Sequence, residues 1–105
     1  MSVNRLEQLF GFLEEAPNDP FLLFATAKEY EKLGDETKAM NYYLKLVEEQ
    51  PNYVGTYYHL GKLHERQEQF QEALVIYHKG IEIAEKVRDY HALSELKNAK
   101  WELED

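Results

Sequence analysis

The chain has 105 residues, 44% hydrophobic and 30% charged, with a formal net charge of −8 and no cysteine. A chain of this length supports one hydrophobic core, so a single domain over 1–105 is expected, and the composition is that of a folded rather than a disordered chain. The acidic balance weighs against nucleic acid and anionic membrane as partners, because both are gripped mainly through Lys and Arg, and the lack of cysteine removes disulfides, thiolate nucleophiles and cysteine-bound zinc.

The N-terminal run Met1-Ser2-Val3-Asn4-Arg5-Leu6-Glu7-Gln8 has no unbroken apolar stretch of the signal-peptide kind, and Glu14-Glu15 follow closely. No segment approaches the roughly 18 apolar residues of a membrane span, so a cytoplasmic protein is expected. The first helix is predicted over about 3–15, with Leu6, Leu9, Phe10 and Leu13 on one face. Asp19-Pro20 supplies an N-cap acceptor and then a proline at the first helical position, opening a helix over about 20–33. Gly34-Asp35 closes that helix and caps the next, about 36–49; Gly34 tolerates the left-handed backbone that helix ends favour. Pro51-Asn52 ends the third helix and offers Asn52 as cap for a fourth over about 53–67, followed by helices over about 70–86 and 89–103. Nothing alternates with period two for long enough to make a strand.

Sliding the chain by 34 residues brings like onto like: Lys28 onto Lys62, Lys32 onto Arg66, Ala39 onto Ala73, Tyr43 onto Tyr77, Lys45 onto Lys79 and Pro17 onto Pro51. The spacing and the residues Tyr57, Leu60, Gly61, Ala73 and Tyr77, with Leu23, Ala27, Tyr30, Ala39, Tyr43 and Pro51 one period earlier, resemble the tetratricopeptide repeat and its pattern W-x₂-L-G-x₂-Y…A-x₃-F…P. The resemblance implies an all-α, right-handed stack of antiparallel helical hairpins: a half-repeat over 1–19, repeats over 20–53 and 54–87, and a capping helix over 88–105. Short residues at Ala27, Gly61, Ala39 and Ala73 allow paired helices to approach, and Tyr30, Tyr43 and Tyr77 fill the space between them. Thr26 stands in place of Leu, His64 in place of Tyr, and Glu85 in place of the closing Pro. The last departure lets the fifth helix run on to Val87 before turning at Arg88-Asp89.

Catalysis finds little support. His64-Glu65-Arg66-Gln67-Glu68 begins like a zinc-protease helix but has Glu68 where the second His must stand, and His59 and His64 diverge by about 140° around a helix. His64 is expected to be a packed core histidine. Pairs such as Glu14-Glu15 and Glu48-Glu49 point about 100° apart and read as solvated faces. There is no phosphate-binding glycine loop and no Gly-x-Ser-x-Gly elbow. A non-enzyme with no catalytic residues, no metal and no cofactor is expected.

Binding is the better reading. The resemblance implies that the first helix of each hairpin lines a concave groove, placing Phe21, Phe24, Lys28 and Lys32 beside Tyr58, His59, Lys62 and Arg66, with Lys97 extending the basic row. Such an aromatic and basic groove suits a protein or peptide segment that carries carboxylates, unless Glu31 and Glu65 simply neutralise the lysines. Some members of the family hold the terminal carboxylate of chaperone tails with a Lys and two Asn. The matching positions here are Phe24, Lys28 and His59, so the Asn pair is missing and an anionic peptide in general is expected. The alternative is a homo-oligomerising scaffold, a homodimer, joined through Trp101, Leu93, Leu96 and Leu103 on the last helix; the competing expectation is that this stripe packs on the helix before it.

Overall fold

The computed structural model describes residues 2–105, with side chains from Arg5 onward. Six helices and no strand make up the described residues: α1 Ser2–Glu15, α2 Pro20–Lys32, α3 Glu36–Glu49, α4 Gly55–Arg66, α5 Phe70–Val87 and α6 Tyr90–Glu104. They gather into two compact units that divide after Gln50. None of the helices is long and apolar enough to cross a membrane.

In the first unit, α1, α2 and α3 pack in succession through short loops, the condition for antiparallel neighbours. The Asp19 carboxylate accepts from Leu22 N–H at 3.1 Å, and Asp35 accepts from Lys38 N–H at 3.1 Å, so both predicted caps form. Between α2 and α3 the chain reverses at Gly34, whose φ of 83° is left-handed. Leu9, Leu23, Ala27, Ala39, Tyr43 and Leu46 form the core. Of the row expected on α1, Leu9 is buried and Leu6 and Leu13 are half-buried. Phe10 lies at the edge with its ring 6.4 Å from that of Tyr30. Thr26, standing in place of Leu, is fully buried because its hydroxyl donates back to the Leu22 carbonyl at 2.8 Å. Glu29 is buried too, in the place that Leu63 takes one period later.

The second unit repeats the hairpin and adds α6. Here α4 and α5 lock reciprocally: a Cβ on Gly61 would lie 2.2 Å from Tyr77 Cε1, and one on Gly80 would lie 2.5 Å from Tyr57 Cβ. Each tyrosine ring thus occupies the room its opposite glycine leaves, and both rings are fully buried. His64 is a core histidine, 9% exposed, with Nδ1 2.7 Å from the Gln69 side-chain oxygen. The fifth helix runs through Val87 as the missing proline implies. It ends at Arg88 in the left-handed conformation, and Asp89 caps α6 by accepting from Ala92 N–H at 3.0 Å.

Two expectations change. Asn52 does not cap α4; the helix starts at Gly55, with Val54 at the cap position and no side-chain cap. The residues after Asn18 are Asp19-Pro20, which carry a cap, whereas Tyr53-Val54 follow Asn52 and offer no acceptor, so backbone carbonyls of Tyr53 and Val54 take the first amides instead. The stripe on α6 also divides. Leu96 is fully buried, but Trp101 is 68% exposed, because five residues along a helix turn a side chain by about 140° from the first.

Candidate functional site

On α2, Phe21, Phe24, Lys28 and Lys32 recur at helical spacing along one side. Phe21 is exposed, while Phe24 is half-buried with its ring edge-on to Tyr43 at 6.1 Å. The Lys28 ammonium lies 3.8 Å from Glu31 Oε1. Glu31 is held from beneath, where the hydroxyl of the buried Tyr43 on α3 donates to its Oε1. A core aromatic therefore fixes a surface carboxylate, which in turn positions a surface cation.

The same arrangement stands on α4 of the second unit. Lys62 Nζ is 3.8 Å from Glu65 Oε2, and the hydroxyl of the buried Tyr77 on α5 donates to that oxygen. Burial raises the Tyr77 phenol well above its ordinary range, and the hydrogen bond to Glu65 and its charge raise it further. The phenol stays a donor. Lys62 also lies 5.5 Å above the Tyr58 ring, a cation–π contact, and the His59 ring meets Tyr58 edge-on at 5.5 Å. Arg66 is exposed in the last turn of α4.

Within the first unit the structure thus brings Phe24 and Lys28 to one cluster with Glu31, and within the second it gathers Tyr58, His59 and Lys62 with Glu65. Sequence reasoning anticipated the two glutamates as partners of the lysines. It missed the tyrosine hydroxyls that anchor them, although the spacing of 12 residues from Glu31 to Tyr43 and from Glu65 to Tyr77 is a readable signal. It also chose the wrong residue on the last helix. Tyr58 and Lys62 share a cleft of about 210 Å³ with Glu95, Asn98, Ala99 and Glu102, whereas Lys97 belongs to the surface around Trp101. A shift of one residue turns a helical side chain by about 100°, enough to exchange a basic neighbour for an amide and two carboxylates. Among the described residues no group of three or more His, Asp or Glu gathers as a metal ion requires.

Models of the tetratricopeptide repeat match residues 22–53 and 42–75. A tetratricopeptide repeat domain protein from Salinibacter ruber, known from a crystal structure, is 44% identical. That match covers 82% of this chain and 96% of the other, with a TM-score of 0.79. The TPR2B domain of yeast Sti1, solved as a complex with pHsp70, has a TM-score of 0.88 at 17% identity, covering 98% of this chain and 82% of that one. The Sgt2 TPR domain from Aspergillus fumigatus has a TM-score of 0.73 at 22% identity, covering 93% of this chain and 67% of its own. The two likenesses below 25% identity speak for the fold alone. No curated protein matches the sequence.

Proposed function

The chain belongs to the tetratricopeptide repeat family, a fold of protein–protein interaction, and from that premise we propose that it binds a peptide segment of a partner protein, without covalent chemistry, through the exposed sides of α2 and α4. The observation that carries this reading is the repeated triad Lys28–Glu31–Tyr43 and Lys62–Glu65–Tyr77. Packing alone is served by a phenylalanine at either tyrosine. The hydroxyls instead hold donor and acceptor groups in place on the open side of each hairpin, so little side-chain freedom is lost when a ligand arrives. Lys28, Lys32, Lys62 and Arg66 face carboxylates of the segment, and Phe21, Phe24, Tyr58 and His59 offer ring surface to its apolar groups. The complex of the Sti1 TPR2B domain with pHsp70 is a precedent for a bound partner on this fold. The residues here favour acidic segments as a class rather than that ligand.

A peptide library selected on the wild type, then measured against Lys28→Glu/Lys62→Glu and Lys28→Ala/Lys62→Ala, tests the proposal. Selected peptides should be rich in Asp and Glu. The double glutamate variant should weaken them by about tenfold or more, consistent with the loss of one or two charge-assisted contacts, with helical circular dichroism unchanged. Undiminished binding by both folded variants would move the site away from α2 and α4.

A further inference from the structure

The cleft between α4 and α6 differs in charge from the lysine row beside it. Tyr58 and Lys62 form its α4 wall, Glu95, Asn98 and Glu102 its α6 wall, and Ala99, 3% exposed, its floor. The short floor residue leaves about 210 Å³ open, less than the ~300 Å³ or more that a drug-sized ligand takes and enough for one side chain. On α6 the Asn98 amide stands one turn from each carboxylate, three residues after Glu95 and four before Glu102, so the three share one face.

Negative charge is in excess here. The Lys62 ammonium lies 3.8 Å from Glu65 Oε2 and 5.5 Å above the Tyr58 ring, so a ring and a carboxylate already hold one cation at this wall. The α6 carboxylates remain. The helix neighbours of Glu102 at three and four residues are Asn98, Ala99 and Asp105, which bring no cation. Glu95 has His91 Nε2 at 3.7 Å, a partner that offsets its charge only when protonated. Burial and Glu65 raise the Tyr77 phenol most, and the charge of Glu102 adds to them, so its field reaches the inner end of the triad. Among the described residues no three carboxylates gather closely enough for a metal ion. An elongated organic cation can instead reach both carboxylates from beside the amide.

We propose that this cleft selects a basic residue of the bound segment. The stem of one Arg or Lys side chain lies along Tyr58 and over Ala99, and its guanidinium or ammonium donates to Glu95, Glu102 and the Asn98 carbonyl. This rests on the peptide reading above and adds to it: a segment acidic in the main carries one cation where it meets α4 and α6. Glu95, Asn98 and Glu102 then set specificity, while the lysines of α2 take carboxylates.

The peptide library selected on the wild type and again on Glu95→Gln/Glu102→Gln provides the test. Both glutamates are exposed, so helical circular dichroism should not change. Wild-type peptides should show, among their acidic residues, one position fixed as Arg or Lys. Exchange of that residue for Gln should weaken binding to the wild type by about tenfold, as one charge-assisted contact implies, and leave binding to the double variant unchanged. Selection on the double variant should lose the basic position and keep the acidic ones. Peptides that are acidic throughout and depend on Lys28 and Lys62 overturn the basic seat and leave the peptide reading intact. A fixed basic residue whose loss costs as much on the double variant as on the wild type makes its contact elsewhere, and it too overturns the proposal. Basic peptides that couple to Glu95 and Glu102 but ignore Lys28→Ala/Lys62→Ala support the cleft and overturn the acidic half of the peptide reading. A library that yields no binder overturns both.

Discussion

Replacing Gly61 by alanine tests how tightly α4 and α5 are held. The added methyl would lie 2.2 Å from Tyr77 Cε1 and 2.7 Å from two further ring carbons. The ring has little freedom to move, because Tyr77 is fully buried and its hydroxyl is tied to Glu65. The helices cannot simply part either, since Gly80 holds Tyr57 against α5 in the same hairpin. In the first unit buried Ala27 stands one period before Gly61 and buried Tyr43 one period before Tyr77, but buried Leu46 stands where the second unit has Gly80. Overpacking of this kind costs about 1–3 kcal/mol, and alanine regains about 0.5–1 kcal/mol of helix preference, leaving a net loss of about 1–2 kcal/mol. The melting temperature should fall by about 5–15 °C, followed by circular dichroism at a concentration where the chain is monomeric. Gly11→Ala is the matched control: with open space around its Cβ it should gain about 0.5–1 kcal/mol, so the two curves should fall on opposite sides of the wild type. A Gly61→Ala protein as stable as Gly11→Ala would refute the reciprocal lock.

Two further perturbations read other parts of the fold. Glu68 has a φ of 59° in the turn where Gly34 has 83° one period earlier, so Glu68→Gly should raise stability by about 1 kcal/mol in urea titration, and a loss would show that the glutamate side chain outweighs the backbone strain. At alkaline pH, burial holds the phenols of Tyr57 and Tyr77 above their ordinary range, with Glu65 adding to the effect on Tyr77. Folding therefore favours their protonated forms. That stability is complete below the unfolded-state value of about 10 and is lost above it by about 1.4 kcal/mol per pH unit for each group. Tyrosinate absorbance from these two residues should appear only together with loss of helical circular dichroism. Their ionisation near pH 10 with the helices intact would contradict the burial argument.

Much of the fold was legible because its signals are local or periodic. Asp19-Pro20, Gly34-Asp35 and Arg88-Asp89 act through their own backbone and nearest amides, so their roles survive without knowledge of the rest of the chain. The 34-residue period placed Tyr43 and Tyr77 in the core in the same way. What stayed hidden depends on rotation and on distant partners. Gly80 reads as a weak point in a helix until Tyr57 is seen against it. Trp101 and Lys97 were assigned to faces by apolar or basic character, where one or two positions of helical phase decide between core, cleft and solvent. Glu29 looks like surface by residue type, and only its spacing from Leu63 hints at burial.

The tyrosine hydroxyls beneath Glu31 and Glu65 give the interior a lever on the exterior. Exchange of Tyr43 or Tyr77 for phenylalanine keeps the ring that fills the core, yet it removes a hydrogen bond to the carboxylate above, the one that pairs with Lys28 or Lys62. On the proposed peptide reading, what such a protein recognises can therefore drift through substitutions that no comparison of surfaces reveals. Two relatives with the same outer residues can differ in ligand preference by a single buried oxygen in each repeat.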